Sequence, residues 1–333
     1  MVCNVAVVGV TGAVGQEFLA ILEQRNFPAT SYRLMASSRS AGKTIKFLGK
    51  EYTVEELTEN SFNEVDIALF SAGGSISKKF APAAVKAGAV VVDNSSAFRM
   101  QEDVPLVVPE INPQEVHNHQ GIIANPNCST IIGIVPIWPL HQANPVKRMV
   151  VSTYQAASGA GWQAMEELKN QTRDVLDGKP AAPKVFKCQY AFNLFSHNSD
   201  IGPNGYNTEE MKMVHETHKI FNDGSIAITC TCVRVPVLRA HCESINLEFE
   251  RPMKEEDVVD ILHQAPGVTI IDDRESNRFP MPLDATGQDD VFVGRIRQDE
   301  SLPEKRGINL WVSGDQLRKG AALNAIQIAE LLV

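Results

Sequence analysis

Near the start of the chain four apolar residues follow one another without a polar break, Val5-Ala6-Val7-Val8. An unbroken run of that length predicts a strand buried on both faces, the kind found in parallel sheets covered by helices. After it come Gly9-Val10-Thr11-Gly12-Ala13-Val14-Gly15 and then residues 16–22, where apolar positions recur at helical spacing. Further strands are expected over 32–36, 65–70 and 89–94, with a helix over 78–87 between the last two. Strands alternating with helices predict an α/β fold with a doubly wound parallel sheet.

The pattern changes past Ile122-Ile123-Ala124. A proline-containing turn, Asn125-Pro126-Asn127, leads into Cys128-Ser129-Thr130 and an apolar segment over 131–135 that reads as a helix. Long β-branched strands are expected over 226–235 and 244–250, and Gly/Pro-rich residues 177–183 read as a loop. A last helix over 319–332 returns to the first domain. The expected division is a first domain of residues 1–127 completed by 308–333, and a second, α+β domain of residues 128–307.

Candidate chemistry sits at the junctions between these elements. A strand, a glycine turn and a helix in that order bring backbone N–H groups to a helix N-terminus, where a pyrophosphate can accept them. Gly9, Thr11, Gly12, Ala13 and Val14 are therefore cofactor candidates, although GxxGxxG alone also fits a plain tight turn. The second strand ends in Ser37-Ser38-Arg39-Ser40, where an NAD site would usually place an acid for the ribose hydroxyl. Hydroxyls with a guanidinium suit a 2′-phosphate instead, which points to NADP over NAD.

Cys128 falls at a predicted helix start, where the dipole and the N–H donors favour a thiolate and can also stabilise an oxyanion. An exposed helix end contributes only ~0.3–1 kcal/mol, so a strongly activated sulfur needs a further partner. Among 8 histidines, His241 is the strongest candidate, since it follows a strand and stands beside Arg234 and Arg239. His117, His119, His215 and His218 lie in polar surroundings and read as exposed.

Composition removes several function classes. With 31 Lys+Arg against 40 Asp+Glu the formal charge is -9, which argues against nucleic acid or an anionic membrane as a partner. No apolar run approaches the ~20 residues of a membrane span, and no basic leader precedes one, so a cytoplasmic enzyme is expected. The 6 cysteines form no paired framework. Cys230 and Cys232 alternate on one strand face with no second pair or His cluster, so no metal site is expected.

Asn125-Pro126-Asn127-Cys128-Ser129-Thr130, together with the glycine turn, closely resembles the aspartate-semialdehyde dehydrogenases. Matching segments in the same order run the length of the chain: 95–99, 153–161, 209–212, 234–241 and 314–322. The resemblance implies a Rossmann-type first domain and a second catalytic and dimerisation domain, hence a homodimer. It implies Cys128 as the acyl-thioester nucleophile, His241 as acid/base, and Gln155 as a residue that orients the substrate. Glu209 and Arg234 would hold the amino-acid end, and Arg99 and Lys212 would bind inorganic phosphate. Ser158, Gly159 and Gln316 would contact the cofactor, NADP(H).

The implied reaction is NADPH-dependent reductive dephosphorylation of L-4-aspartyl phosphate to L-aspartate 4-semialdehyde, reversible, in lysine, threonine and methionine biosynthesis. Val-Leu-Arg-Ala precedes His241 where some relatives carry an aromatic residue and Gly. Three other readings remain: an N-acetyl-γ-glutamyl-phosphate reductase, a non-catalytic Rossmann-type binding protein, and a cysteine hydrolase. Glu209 weighs against the first, because a free ammonium calls for a carboxylate and an amide does not.

Overall fold

The computed structural model describes residues 3–333. Two compact units divide the chain, Met1–Asn127 with Ala321–Val333, and Cys128–Gly320.

In the first unit β1 (Cys3–Val8) leads through the glycine turn to α1 (Ala13–Gln24) and β2 (Ala29–Ala36). A small hairpin, β3 (Thr44–Phe47) and β4 (Lys50–Thr53), precedes β5 (Glu55–Glu56), β6 (Ile67–Phe70), α2 (Gly74–Lys86), β7 (Val90–Asp93) and β8 (Ile122–Ala124). Six strands form one sheet in the order β5-β2-β1-β6-β7-β8, all parallel. β1 is central, and Ala6, Val7 and Val8 have no exposed surface, which is why the run lacks polar alternation. The strand order turns outward on either side of β1 and β6, so the loops leaving these two strands flank the point where ligands bind in such sheets.

The second unit runs α3 (Cys128–Ala143), β9 (Val146–Gln155), α4 (Trp162–Leu176), β10 (Phe195–Ser196), α5 (Thr208–Phe221), β11 (Ala227–Arg234) and β12 (His241–Phe249). α6 (Glu255–His263), β13 (Val268–Ile270), α7 (Pro282–Ala285), β14 (Val291–Gln298) and β15 (Gly307–Gly314) complete it. The seven-stranded sheet has the order β10-β11-β9-β12-β15-β14-β13 and is mixed, with β9–β11 and β13–β14 parallel and the remaining pairs antiparallel. One face is dry: Met149, Val151, Thr153 and Gln155 of β9 are buried there, and α3 packs on it. The alternate residues Val150, Ser152 and Tyr154 stay half-buried on the other face. α3 is apolar on all sides because it is enclosed, with Ile131, Ile132, Ile134 and Ile137 fully buried.

The structure moves one expected boundary. β15 pairs with β12 and β14 in the second unit, so the first unit regains the chain only at Ala321 rather than at 308. The expected last helix is a wide turn over Arg318–Ala322 followed by α8 (Leu323–Glu330), whose Leu323, Ala325, Ile326 and Ala329 join the first unit's core with Phe18, Ile21 and Leu22 of α1.

Candidate active site

In the first unit the glycine turn is shaped by close backbone approach. Gly9 has φ +85°, and a Cβ there would stand 2.3 Å from the carbonyl oxygen of Ser71, at the end of β6. A Cβ on Gly15 would stand 2.2 Å from the Gly9 oxygen. Side chains at these positions would prise α1 from the strand, so the glycines are sterically required. Gly9 and Val10 donate to the Met35 carbonyl, and Gly12 caps α1 in extended conformation. Thr11, Ala13 and Val14 accordingly line the start of α1, whose first N–H groups have no intrahelical acceptor. Ser37, Ser38 and Arg39 are exposed directly after β2, with Ser40 half-buried and its N–H bonded to the Ser37 carbonyl. The loop carries no acid. A bare backbone cradle at the start of α1 suits the pyrophosphate of a dinucleotide.

Arg99 is buried in the same unit, and its Nε donates to the Asn125 carbonyl at 2.9 Å and its Nη2 to the Asn94 carbonyl at 2.8 Å. Asn125 is itself fixed: its Nδ2 donates to Asn94 Oδ1, and its Oδ1 accepts from Asn324. The segment that ends in the candidate nucleophile is thus held by side chains from three parts of the first unit. Sequence reasoning missed Asn94 and Asn324, which a lone polar residue in a loop or a helix does not announce.

The second unit begins with Cys128, half-buried, as the first residue of α3. Its Sγ lies 3.7 Å from His241 Nε2. His241 opens β12 and has no exposed surface; its Nδ1 accepts the backbone N–H of Ala156 at 3.0 Å. Burial first, then the Arg234 charge, push its pKa from 6.5 down to about 3, against a smaller opposing effect of Glu209. His241 is therefore neutral near pH 7.

Gln155 ends β9 in register with Arg234 at the end of β11. Gln155 Nε2 donates to Ser129 Oγ at 2.6 Å and to Glu209 Oε1 at 3.3 Å, while its Oε1, buried, has no protein partner. α5 is fixed at its start by a reciprocal cap between Asn207 and Glu210, which sets Glu209 and Lys212 in the first turns; Lys212 Nζ meets Glu209 Oε2 at 2.9 Å. Arg234 is buried, with Nη1 on the Ala156 carbonyl at 3.1 Å and Nη2 on His197 Nε2 at 2.8 Å. Because the guanidinium can only donate, His197 offers a lone pair, and burial with Arg234 lowers its pKa to about 4.

Ser158 and Gly159 lie in the turn after β9. A Cβ on Gly159 would stand 2.9 Å from Arg234 Nη1 and 3.1 Å from His241 Nε2. Gln316 donates to Ser158 Oγ and accepts the Ala240 N–H at 2.9 Å. The second unit therefore assembles the residues singled out in its half, and adds Ser129, Ala156 and His197, which no pattern in the sequence marks. His117 and His215 are exposed as expected, whereas His119 and His218 are half-buried, His218 being bonded through Nε2 to the Ile226 carbonyl at 2.8 Å.

Comparison with known proteins decides the family. The model described as "Semialdehyde dehydrogenase, NAD binding domain" matches residues 4–119, and that described as "Semialdehyde dehydrogenase, dimerisation domain" matches 137–319. An aspartate-semialdehyde dehydrogenase of Synechocystis is 59% identical over 330 residues, 99% of this chain and 97% of the relative. The chain belongs to the aspartate-semialdehyde dehydrogenase family. The family member of Aquifex aeolicus is 54% identical over 99% of this chain and 98% of its own length. Aspartate semialdehyde dehydrogenase II of Vibrio cholerae, solved complexed with ASA, superposes with TM-score 0.97 at 48% identity, covering 100% of this chain and 98% of that one. The aspartate semialdehyde dehydrogenase of Candida albicans, solved with NADP, superposes with TM-score 0.76 at 27% identity, covering 100% and 98%. Family membership makes the chain an oxidoreductase with a nicotinamide-dinucleotide domain. No helix among the described residues is long and apolar enough to cross a membrane.

Proposed function

We propose that the chain reduces L-4-aspartyl phosphate to L-aspartate 4-semialdehyde, reversibly and with NADPH, through an acyl thioester on Cys128. The observation that carries the reading is the cysteine sulfur at the start of α3, 3.7 Å from a buried imidazole and within one cluster of Gln155, Glu209 and Arg234. Nucleophile and imidazole in such proximity suit attack on an activated carbonyl. Arg234 has the fork to take an α-carboxylate, Glu209 the charge to meet an ammonium, and Gln155 Oε1 an unused lone pair to orient the chain of the substrate. Arg99 and Lys212 are the cations assigned to phosphate. NADP(H), when bound, supplies or accepts the hydride. Gly9, Thr11, Gly12, Ala13 and Val14 would receive its pyrophosphate, Ser37, Arg39 and Ser40 its 2′-phosphate, and Ser158, Gly159 and Gln316 its nicotinamide end.

Tyr154 and Trp311, ring centroids 5.3 Å apart, stand with Val150 on the half-buried face of the seven-stranded sheet, and a second copy of the chain covering this face would make a homodimer. The enzyme would serve lysine, threonine and methionine biosynthesis in the cytoplasm. The test is phosphate-dependent reduction of NADP⁺ by aspartate semialdehyde, run beside NAD⁺ and beside N-acetylglutamate semialdehyde. Turnover that needs phosphate and favours NADP⁺ with the free amino acid supports the reading; faster reaction of the acylated substrate overturns the substrate assignment.

A further inference from the structure

We infer that His197 and Ser199 form a clamp for the amino-acid end of the site: His197 fixes the plane of the Arg234 guanidinium and, through Ser199, ties it to the turn of α5 that carries Glu209. Both are positioning residues, acting through Arg234 and Glu209 and not on the reacting carbonyl. The inference deepens the proposed function and rests on it, since it takes Arg234 and Glu209 as the groups that meet an α-carboxylate and an α-ammonium.

The backbone puts the ring beside its target. β10 is an edge strand of two residues, Phe195 and Ser196, paired antiparallel with Arg234 and Val233 of β11. His197 follows at once and donates its own N–H to the Cys232 carbonyl at 2.8 Å, so the pairing continues into it. Its Nε2 then stands 2.8 Å from Arg234 Nη2, while Nη1 of the same guanidinium is on the Ala156 carbonyl at 3.1 Å. Bonds at both Nη atoms pin the group in one plane. They leave the rest of the fork, including a buried Nε with no protein partner, for a carboxylate.

The order of donors is set by Arg234, which can only donate. Nε2 of His197 therefore presents its lone pair, and the single proton of the neutral ring is on Nδ1, which meets Ser199 Oγ at 3.1 Å. The Ser199 N–H, 3.3 Å from Nδ1, is the longer contact at that nitrogen and adds nothing once Nδ1 carries its proton. Ser199 Oγ accepts the backbone N–H of Glu209 at 3.1 Å and donates to Asn207 Oδ1 at 3.3 Å. Asn207 Oδ1 in turn caps α5 through the Glu210 N–H at 2.9 Å. The hydrogen bonds thus run in one direction from the end of β11 to the first turn of α5.

Two charges that recognise an amino acid must keep the spacing of substituents on one carbon, and here each has a competing hold. Glu209 is drawn by Lys212 at 2.9 Å and by Gln155 at 3.3 Å, and Arg234 by the Ala156 carbonyl. A neutral acceptor at Nη2 holds the fork without cancelling its charge, which a carboxylate in the same place would do. Burial, then Arg234, keep the His197 ring neutral near pH 7, so the acceptor is present there.

The test compares, in the full chain, His197→Leu, which removes the acceptor, with His197→Gln, whose carbonyl oxygen can take the place of Nε2. Loss of an acceptor from a buried charged donor should raise KM for aspartate semialdehyde at least ~10-fold in His197→Leu with kcat within ~3-fold of the parent, and His197→Gln should bring KM back to within ~3-fold. A smaller rise, no recovery in His197→Gln, or a kcat lost in both overturns the inference. If His197→Leu does not fold by circular dichroism, Ser199→Ala decides: KM raised at least ~3-fold with kcat kept supports the clamp, and a smaller rise overturns it. A second readout needs no substrate. With ¹⁵N-arginine, the Nη signals of Arg234, identified by their loss in Arg234→Lys, should be separate in the parent and merged in His197→Leu; merged signals in the parent overturn the clamp. Separate signals in a chain that does not turn over aspartate semialdehyde would remove the proposed function while leaving the clamp standing.

Discussion

In the first unit the ligand-binding turn is made of backbone: Gly9 and Gly15 are required for what a side chain would strike, and the working groups are N–H donors at the start of α1. In the second unit the working groups are side chains, Cys128, Gln155, Glu209, Arg234 and His241, drawn from α3, α5 and the ends of β9, β11 and β12, four of them buried and bonded to one another or to backbone. The two constructions fail in different ways. A backbone site is destroyed by added volume and is indifferent to most side-chain chemistry, whereas a side-chain site can keep its fold and lose its reaction through one atom.

The sharpest break in that comparison is Cys128→Ala. It should lower phosphate-dependent turnover by more than ~10³-fold, over ~4 kcal/mol in barrier, while circular dichroism and Tm stay close to the parent. Steady-state activity within ~10-fold of the parent, ~1.4 kcal/mol, would remove the nucleophile assignment. Gly9→Ala is the opposite case. Left-handed backbone and a Cβ 2.3 Å from the Ser71 oxygen should cost about 2–4 kcal/mol of stability and weaken NADPH binding, read by thermal unfolding and by cofactor fluorescence. A parent-like Tm would show that the turn is not sterically closed.

Acid should act on the second unit through two imidazoles, one buried and one half-buried. His241 and His197 have folded pKa values near 3 and 4, below the ordinary 6.5, so the unfolded chain takes up protons that the folded chain refuses. Their stabilising effect is complete above pH 6.5 and is lost as pH falls towards those values, with a slope of up to about 1.4 kcal/mol per pH unit for each. Denaturant unfolding between about pH 7 and 4.5 should show this, and His197→Gln should flatten it; an unchanged slope would mean that the fold does not hold His197 in neutral form. The smallest effect is expected at the exposed Arg39. Arg39→Ala should reduce NADP affinity ~10-fold with little change for NAD or for Tm, by calorimetric titration, and equal loss for both cofactors would take the 2′-phosphate away from this residue.

The same contrast explains what could be read from the chain. Strand β1 falls where its unbroken apolar run placed it, because double burial leaves a mark on every residue, and β2, β6 and β7 overlap the expected 32–36, 65–70 and 89–94. The glycine turn was visible for a related reason, since backbone crowding admits one residue type. Partners of the second site were not visible. His197 sits in a loop, Ser129 follows the nucleophile without any periodic signal, and the N–H of Ala156 carries no side chain to notice. Glu243 is similar: it lies on the dry face of β12 with no exposed surface, and burial pushes its carboxyl pKa well up. β15 was assigned to the wrong unit because pairing in a mixed sheet joins residues far apart, Glu243 with Val312 for example, and local pattern holds no record of that.

The most direct measurement is a rapid acid quench of the chain mixed with L-4-aspartyl phosphate and no reduced cofactor, followed by mass spectrometry of its peptides. The account predicts an aspartyl adduct on the peptide containing Cys128, released by hydroxylamine and missing in Cys128→Ala. An adduct on another residue, or none while turnover proceeds, would contradict it.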